Sequence, residues 1–139
     1  MGRLRGLLLG IVMILFAIAV EFIGKRVDNI YSGNTPEIVG IATFAMLLAV
    51  SYFFKSDRIA VLAVFTASAV YGLVAYLIKL DFFYHDYPES LSVFAPTIVS
   101  RSILYALPVF IGHLIVAIKA KRRVRSQESQ QLEKKNRTK

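Results

Sequence analysis

In AIAVEFIGKR, residues 17–26, a carboxylate follows fifteen consecutive apolar or glycine residues. An acid inside hydrocarbon loses its hydration, so Glu21 is a candidate functional group: it either pairs with a base or exchanges a proton with a ligand. Arg101, in PTIVSRSILYAL, is the second such group, three residues after Ile98 in another apolar run. An intramembrane charge is expected to face the protein interior and find a partner there. The sequence therefore predicts a Glu21–Arg101 ion pair, with Asp81 or Asp28 as the alternative partners of Arg101. A third group is Pro108 with Gly112 and His113. The proline removes a backbone donor in mid-helix and leaves the Leu104 carbonyl without its usual partner, which makes this trio a candidate hinge beside an imidazole. The commoner arrangement is a tolerated membrane proline and a histidine bonded to a neighbouring helix.

Two readings of Glu21 compete. The residues 7–23 that carry it cover about 26 Å as a helix, less than a bilayer core of about 30 Å. Sinking Glu21 to the middle would drag Arg3 and Arg5 into hydrocarbon. Glu21 is thus expected near the outer surface, with Lys25 four residues on as a favourable neighbour. The stretch AIAVEFIG also resembles the first helix of the small multidrug resistance transporters, four-span proteins of similar length. That resemblance implies a glutamate serving as the shared proton and substrate site, a role that falls on Glu21. It covers about eight residues, and the later spans lack the tryptophan and glycine pattern of that family.

The elements that position these groups are long apolar blocks. The chain has 139 residues, 56% of them hydrophobic, with mean hydropathy +0.58. A soluble domain of this length needs more polar surface than that. Four blocks at residues 7–23, 38–54, 59–78 and 98–118 predict an all-α, polytopic membrane protein: a four-transmembrane-helix bundle in a domain over residues 1–118. The short KSDR connection predicts that spans two and three are antiparallel neighbours. A rival reading of the N-terminus is a secretory signal peptide cut after Ala19, which leaves three spans.

Charge sets the orientation. Residues 119–139 hold nine Lys or Arg and two Glu, and the other 118 residues are nearly neutral. Arg3 and Arg5, then Lys55 and Arg58, then this tail fall on one side of an even-numbered bundle, so both termini are expected in the cytoplasm, in the plasma membrane. Lys119, Lys121, Arg122, Arg123 and Arg125 form a juxtamembrane cluster attracted to anionic lipid headgroups at the cytoplasmic face. The tail is expected to be disordered, with residues 127–135 as a frayed helix at most. Without interleaved aromatics it does not predict nucleic-acid binding.

The loops KRVDNIYSGNTPE and KLDFFYHDYPE share a Lys, an Asp-x-x-Tyr unit and Pro-Glu, which suggests two tandem helical hairpins related by an axis along the membrane normal. Asp81, His85, Asp86 and Glu89 are ligand-type residues, but one imidazole with carboxylates specifies metal poorly. Phe82, Phe83, Tyr84 and Tyr87 read as an interfacial belt. Small residues (Gly6, Gly10; Ala42, Ala45, Ala49; Ala60, Ala63, Ala67, Ser68, Gly72) mark close-packing faces and predict a homodimer or a larger membrane complex. With no cysteine, nucleophile–base pair, phosphate loop or metal motif, neither an enzyme nor a cofactor is expected. The function that follows is a small non-catalytic accessory or oligomer-forming subunit. The alternative is a small dimeric proton-coupled secondary transporter using Glu21.

Overall fold

The computed structural model of the chain describes residues 2–28, 35–80 and 87–137, with side chains over 3–26, 38–80 and 87–131. Among them are four α-helices and no strand: α1 Gly2–Asp28, α2 Thr35–Phe53, α3 Arg58–Leu77 and α4 Leu91–Arg137. Three segments, Arg3–Arg26, Arg58–Leu77 and Leu91–Gln131, are long and apolar enough to cross a membrane, and Ile38–Phe53 is a shorter apolar helix. In hydrocarbon a helix satisfies all its own backbone groups, so apolar runs rich in Val and Ile become helices despite their strand preference in water. The outside of the bundle agrees with that solvent: Ile41 is 71% exposed, Leu15 60% and Phe16 58%. A patch this large and apolar marks contact with lipid or protein.

The ends of the helices are defined by local chemistry. Asp57 is the N-cap of α3, its Oδ1 accepting from the Ala60 amide at 2.9 Å. Asp57→Ala is expected to cost about 1 kcal/mol, read as a lowered unfolding midpoint in detergent. The C-termini of α2 and α3 close alike. Lys55 (φ 51) and Lys79 (φ 52) adopt the left-handed conformation. The next amides, Ser56 and Leu80, reach back to the Ser51 and Ala75 carbonyls at 2.9 and 3.0 Å. Each lysine also places a cation at the negative end of its helix.

Helix α1 packs on α2 and α3, and α4 packs on the same two, so that α1 faces α4, and α2 faces α3, across diagonals. The expected face-to-face packing of spans two and three is therefore corrected. Four residues, 54–57, bridge a diagonal in this bundle, and small residues decide the neighbours. Gly10 of α1 lies so close to α3 that a Cβ there would meet Ala63 Cβ at 2.5 Å and the Ala60 carbonyl oxygen at 2.9 Å. Gly112 of α4 presses on α2 likewise, its absent Cβ falling 2.7 Å from Ser51 Cβ. A glycine thus seats each of the parallel pairs, α1–α3 and α2–α4. A two-fold axis along the bundle would set α1 opposite α3, so the hairpins are not related that way. Most of the two loops that suggested a repeat lies outside the described residues.

One core joins Met13, Ile14, Ala17, Leu47, Val64, Tyr105 and Val109 from all four helices. Cleavage after Ala19 would remove α1's share of it. A second core, Ala75, Tyr76, Phe94 and Ile98, closes α3 against α4 at the far end. There Tyr87, expected in an outer belt, turns inward instead: its ring meets Phe94 at 5.1 Å and its hydroxyl donates to the Leu80 carbonyl at 2.8 Å. Beyond residue 118, where the tail begins, α4 continues to Arg137. The tail is rich in Arg, Lys, Gln and Glu, good helix formers that extend a helix already nucleated by the bundle.

Candidate functional site

The inward face of α1 carries Gly6, Gly10, Met13, Ala17 and Gly24, all buried, at steps of three, four and seven residues. Glu21 occupies the missing step of that stripe, so its carboxylate points into the bundle. On α4 the stripe is Phe94, Ile98, Ser102, Tyr105, Val109 and Gly112, and Arg101 sits at its edge. The two stripes meet across the diagonal. Arg101 Nη1 lies 3.5 Å from Glu21 Oε1, a charge contact without hydrogen-bond geometry. The hydroxyl of Tyr105, one turn from Arg101 on the same face of α4, donates to that same Oε1. Tyr71 of α3 brings a hydroxyl close enough to interact with both charges. The other carboxylate oxygen, Oε2, is buried and accepts no hydrogen bond among the described residues.

Beside this cluster is a cavity of about 330 Å³, lined by Glu21 of α1, by Thr43, Phe44 and Leu47 of α2, and by Arg101 and Tyr105 of α4. It is large enough for a small ligand or a few waters. Thr43 returns its own hydroxyl to the Val39 carbonyl at 2.8 Å, so its methyl and not its donor shapes the wall. The side chain of Glu21 is 19% exposed and that of Arg101 32%. Both lie well inside their helices. Glu21 is seven residues, about 11 Å, inside the end of α1, and Arg101 ten residues, about 15 Å, inside the start of α4. The helices outrun the apolar runs because Lys25 and Arg26 carry long stems that extend a span past its last apolar residue.

Pro108, Gly112 and His113, the candidate hinge, are packed against α2 and the α2–α3 connection. Helix α4 runs unbroken through Pro96 and Pro108, and Pro108 is fully buried. Ser51 of α2 donates to the Val109 carbonyl at 2.8 Å and also contacts the Ser56 hydroxyl. His113 Nδ1 donates to the Ser56 carbonyl at 2.8 Å. The trio is a packed joint between α4 and the α2–α3 connection.

That joint marks the basic end of the bundle. Arg5 donates to the Phe54 carbonyl at 3.2 Å, and Lys119 donates to the Tyr52 hydroxyl at 2.5 Å. The N-terminus, the connection and the start of the tail therefore meet at one end. Lys121, Arg122, Arg123 and Arg125 are all exposed beyond it. Asp28, Asp81, His85 and Asp86 lie outside the residues whose side chains are described, and among the described ones no three His, Cys, Asp or Glu gather.

Residue spacing pointed to Glu21 and Arg101 but not to Tyr105, Tyr71 or the Ser51–Ser56 contacts. The signal for Tyr105 was present: it lies four residues after Arg101, on the same helical face. Tyr71 carries no comparable mark, because only the α1–α3 contact brings its face to Glu21. Comparison with protein-family models, with curated proteins and with solved structures gives no match, so any functional reading of this chain rests on the chemistry of these residues.

Proposed function

We propose that this chain is a small non-catalytic multi-pass integral membrane protein, an accessory or oligomer-forming subunit with both termini in the cytoplasm of a plasma membrane. The observation that carries this reading is the use made of Glu21: its charge is answered inside the bundle by Arg101 and Tyr105. Towards the basic end, glycine-to-alanine and glycine-to-serine contacts seat α1 on α3 and α4 on α2. A charge clasp above such seams is the architecture of a scaffold. Gly6, Gly10, Ala60 and Ala63 are spent on contacts within the chain, so they no longer argue for self-association. The face that does is on α2, where Ala42, Ala45 and Ala49 are exposed along the helix with the shortest apolar stretch. Short spans gain from oligomerising, and small faces allow close approach in lipid.

The chain's lack of cysteine makes the test clean. Ala45→Cys in native membranes is expected to give an oxidant-dependent disulfide dimer, or a crosslink to a co-purifying membrane protein. Monomer alone from each of Ala42→Cys, Ala45→Cys and Ala49→Cys would overturn the oligomer-forming role. A second reading, a proton-coupled carrier, is favoured by the cavity of about 330 Å³ at Glu21 and Arg101. Its signature is pH-dependent uptake into proteoliposomes that Glu21→Gln abolishes.

A further inference from the structure

A second cavity, of about 470 Å³, runs between α3 and α4 at the basic end and is lined by Arg58, Val61, Leu62, Phe110, His113 and Leu114. Its chemistry is graded along the bundle axis. Arg58 opens the first turn of α3, and Val61 and Leu62 follow one turn deeper. On antiparallel α4, His113 and Leu114 lie beside the first turn and Phe110 beside the second. The walls are hydrocarbon: Leu62 is 64% exposed and Phe110 45%. The mouth is cationic. Arg58 is exposed and makes no ion pair among the described residues. His113 spends Nδ1 on the Ser56 carbonyl, which fixes the ring and leaves Nε2 as its remaining polar atom.

We infer that this groove is a binding site for one anionic phospholipid of the leaflet at the basic end, with the headgroup phosphate on Arg58 beside His113 and an acyl chain along Val61, Leu62, Phe110 and Leu114. A cation at one end of a hydrocarbon trough matches an amphiphile lying parallel to the helices. Arg5, Lys55 and Lys119 at the same end supply a field that selects negative headgroups. A soluble anion would use the mouth and leave the trough empty, whereas a neutral lipid would fill the trough and leave Arg58 unanswered. The site is distinct from the exposed tail cluster, which attracts a charged surface without shaping a site for one molecule.

The inference rests on the membrane reading, and the test separates the two. The full chain is incorporated into phosphatidylcholine nanodiscs, then into nanodiscs containing phosphatidylglycerol, and extracted gently for native mass spectrometry. Failure to enter either disc overturns the membrane reading itself. The expected result is entry into both, with one phosphatidylglycerol retained per chain. Arg58→Gln should weaken retention about five- to tenfold, the loss of one basic contact near the surface. Leu62→Trp, which fills the trough and keeps every charge, should displace the lipid as well. Equal retention of phosphatidylcholine would overturn the site. So would a loss caused by Lys121→Gln with Arg122→Gln but not by Arg58→Gln or Leu62→Trp, or full competition by free glycerol phosphate.

Discussion

Replacing Glu21 with Gln is expected to destabilise the bundle by about 3–5 kcal/mol, because it strands the Arg101 guanidinium without its counter-charge. Arg101→Gln should cost a similar amount by stranding the carboxylate, although Tyr105 still donates to it. The exposed part of Arg101 lines the cavity beside Glu21. The measurement is the unfolding midpoint of each variant in a denaturing-detergent titration. A swap, Glu21→Arg with Arg101→Glu, should recover most of the loss, since both side chains are long enough to meet across the diagonal from either side. A midpoint unchanged by either single substitution, or no recovery in the swap, would refute the clasp. The apolar pair Glu21→Leu with Arg101→Leu is equally informative. Buried ion pairs often contribute no more than hydrocarbon of the same volume, so a structural clasp predicts a folded double variant of near-normal stability. A carrier that uses the carboxylate would fold and lose its uptake.

Gly10→Ala is expected to destabilise the bundle with a single methyl. The added Cβ would stand 2.5 Å from Ala63 Cβ and 2.9 Å from the Ala60 carbonyl oxygen, well inside the optimal carbon separation of about 3.5–4 Å. Both obstacles are backbone or attached directly to it, so no rotamer change clears them and α1 must move away from α3. In lipid there is no hydrophobic drive to hold separated helices together, and van der Waals contact is the main cohesion lost. The expected cost is about 1–3 kcal/mol, rising with Gly10→Leu. Gly40→Ala is the matched control, because nothing lies within 4 Å of its added methyl. It should be neutral or slightly stabilising through helix propensity. Equal behaviour of the two alanine variants in thermal unfolding would refute the tight α1–α3 seam.

How much of this was legible in the sequence differs by level. The helices were, because runs such as GLLLGIVMILFAIAV leave the backbone no other way to satisfy itself in hydrocarbon. The prominence of Glu21 and Arg101 was also legible, from the cost of a charge in such a run. The neighbours were not. A short connection between α2 and α3 argued for contact, but Gly10 and Gly112 outweighed it by drawing each of those helices to a different partner. The extent of α1 was only partly legible: hydropathy ends at Ile23, whereas the helix runs on to Asp28. Tyr105 illustrates the last kind of gap. A tyrosine in an apolar helix looks like packing until a carboxylate arrives from another part of the chain.

The unbroken run of α4 past the bundle turns the tail into a mast. From Lys119 to Arg137 the helix rises about 27 Å, whereas the potential of a charged surface fades over about 8 Å at physiological salt. A flexible tail would let every lysine and arginine settle onto the bilayer. A helix that stays continuous sorts them by distance along its axis: Lys119, Lys121, Arg122 and Arg123 lie in the turns next to the bundle, and the residues beyond Ser126 follow farther along it.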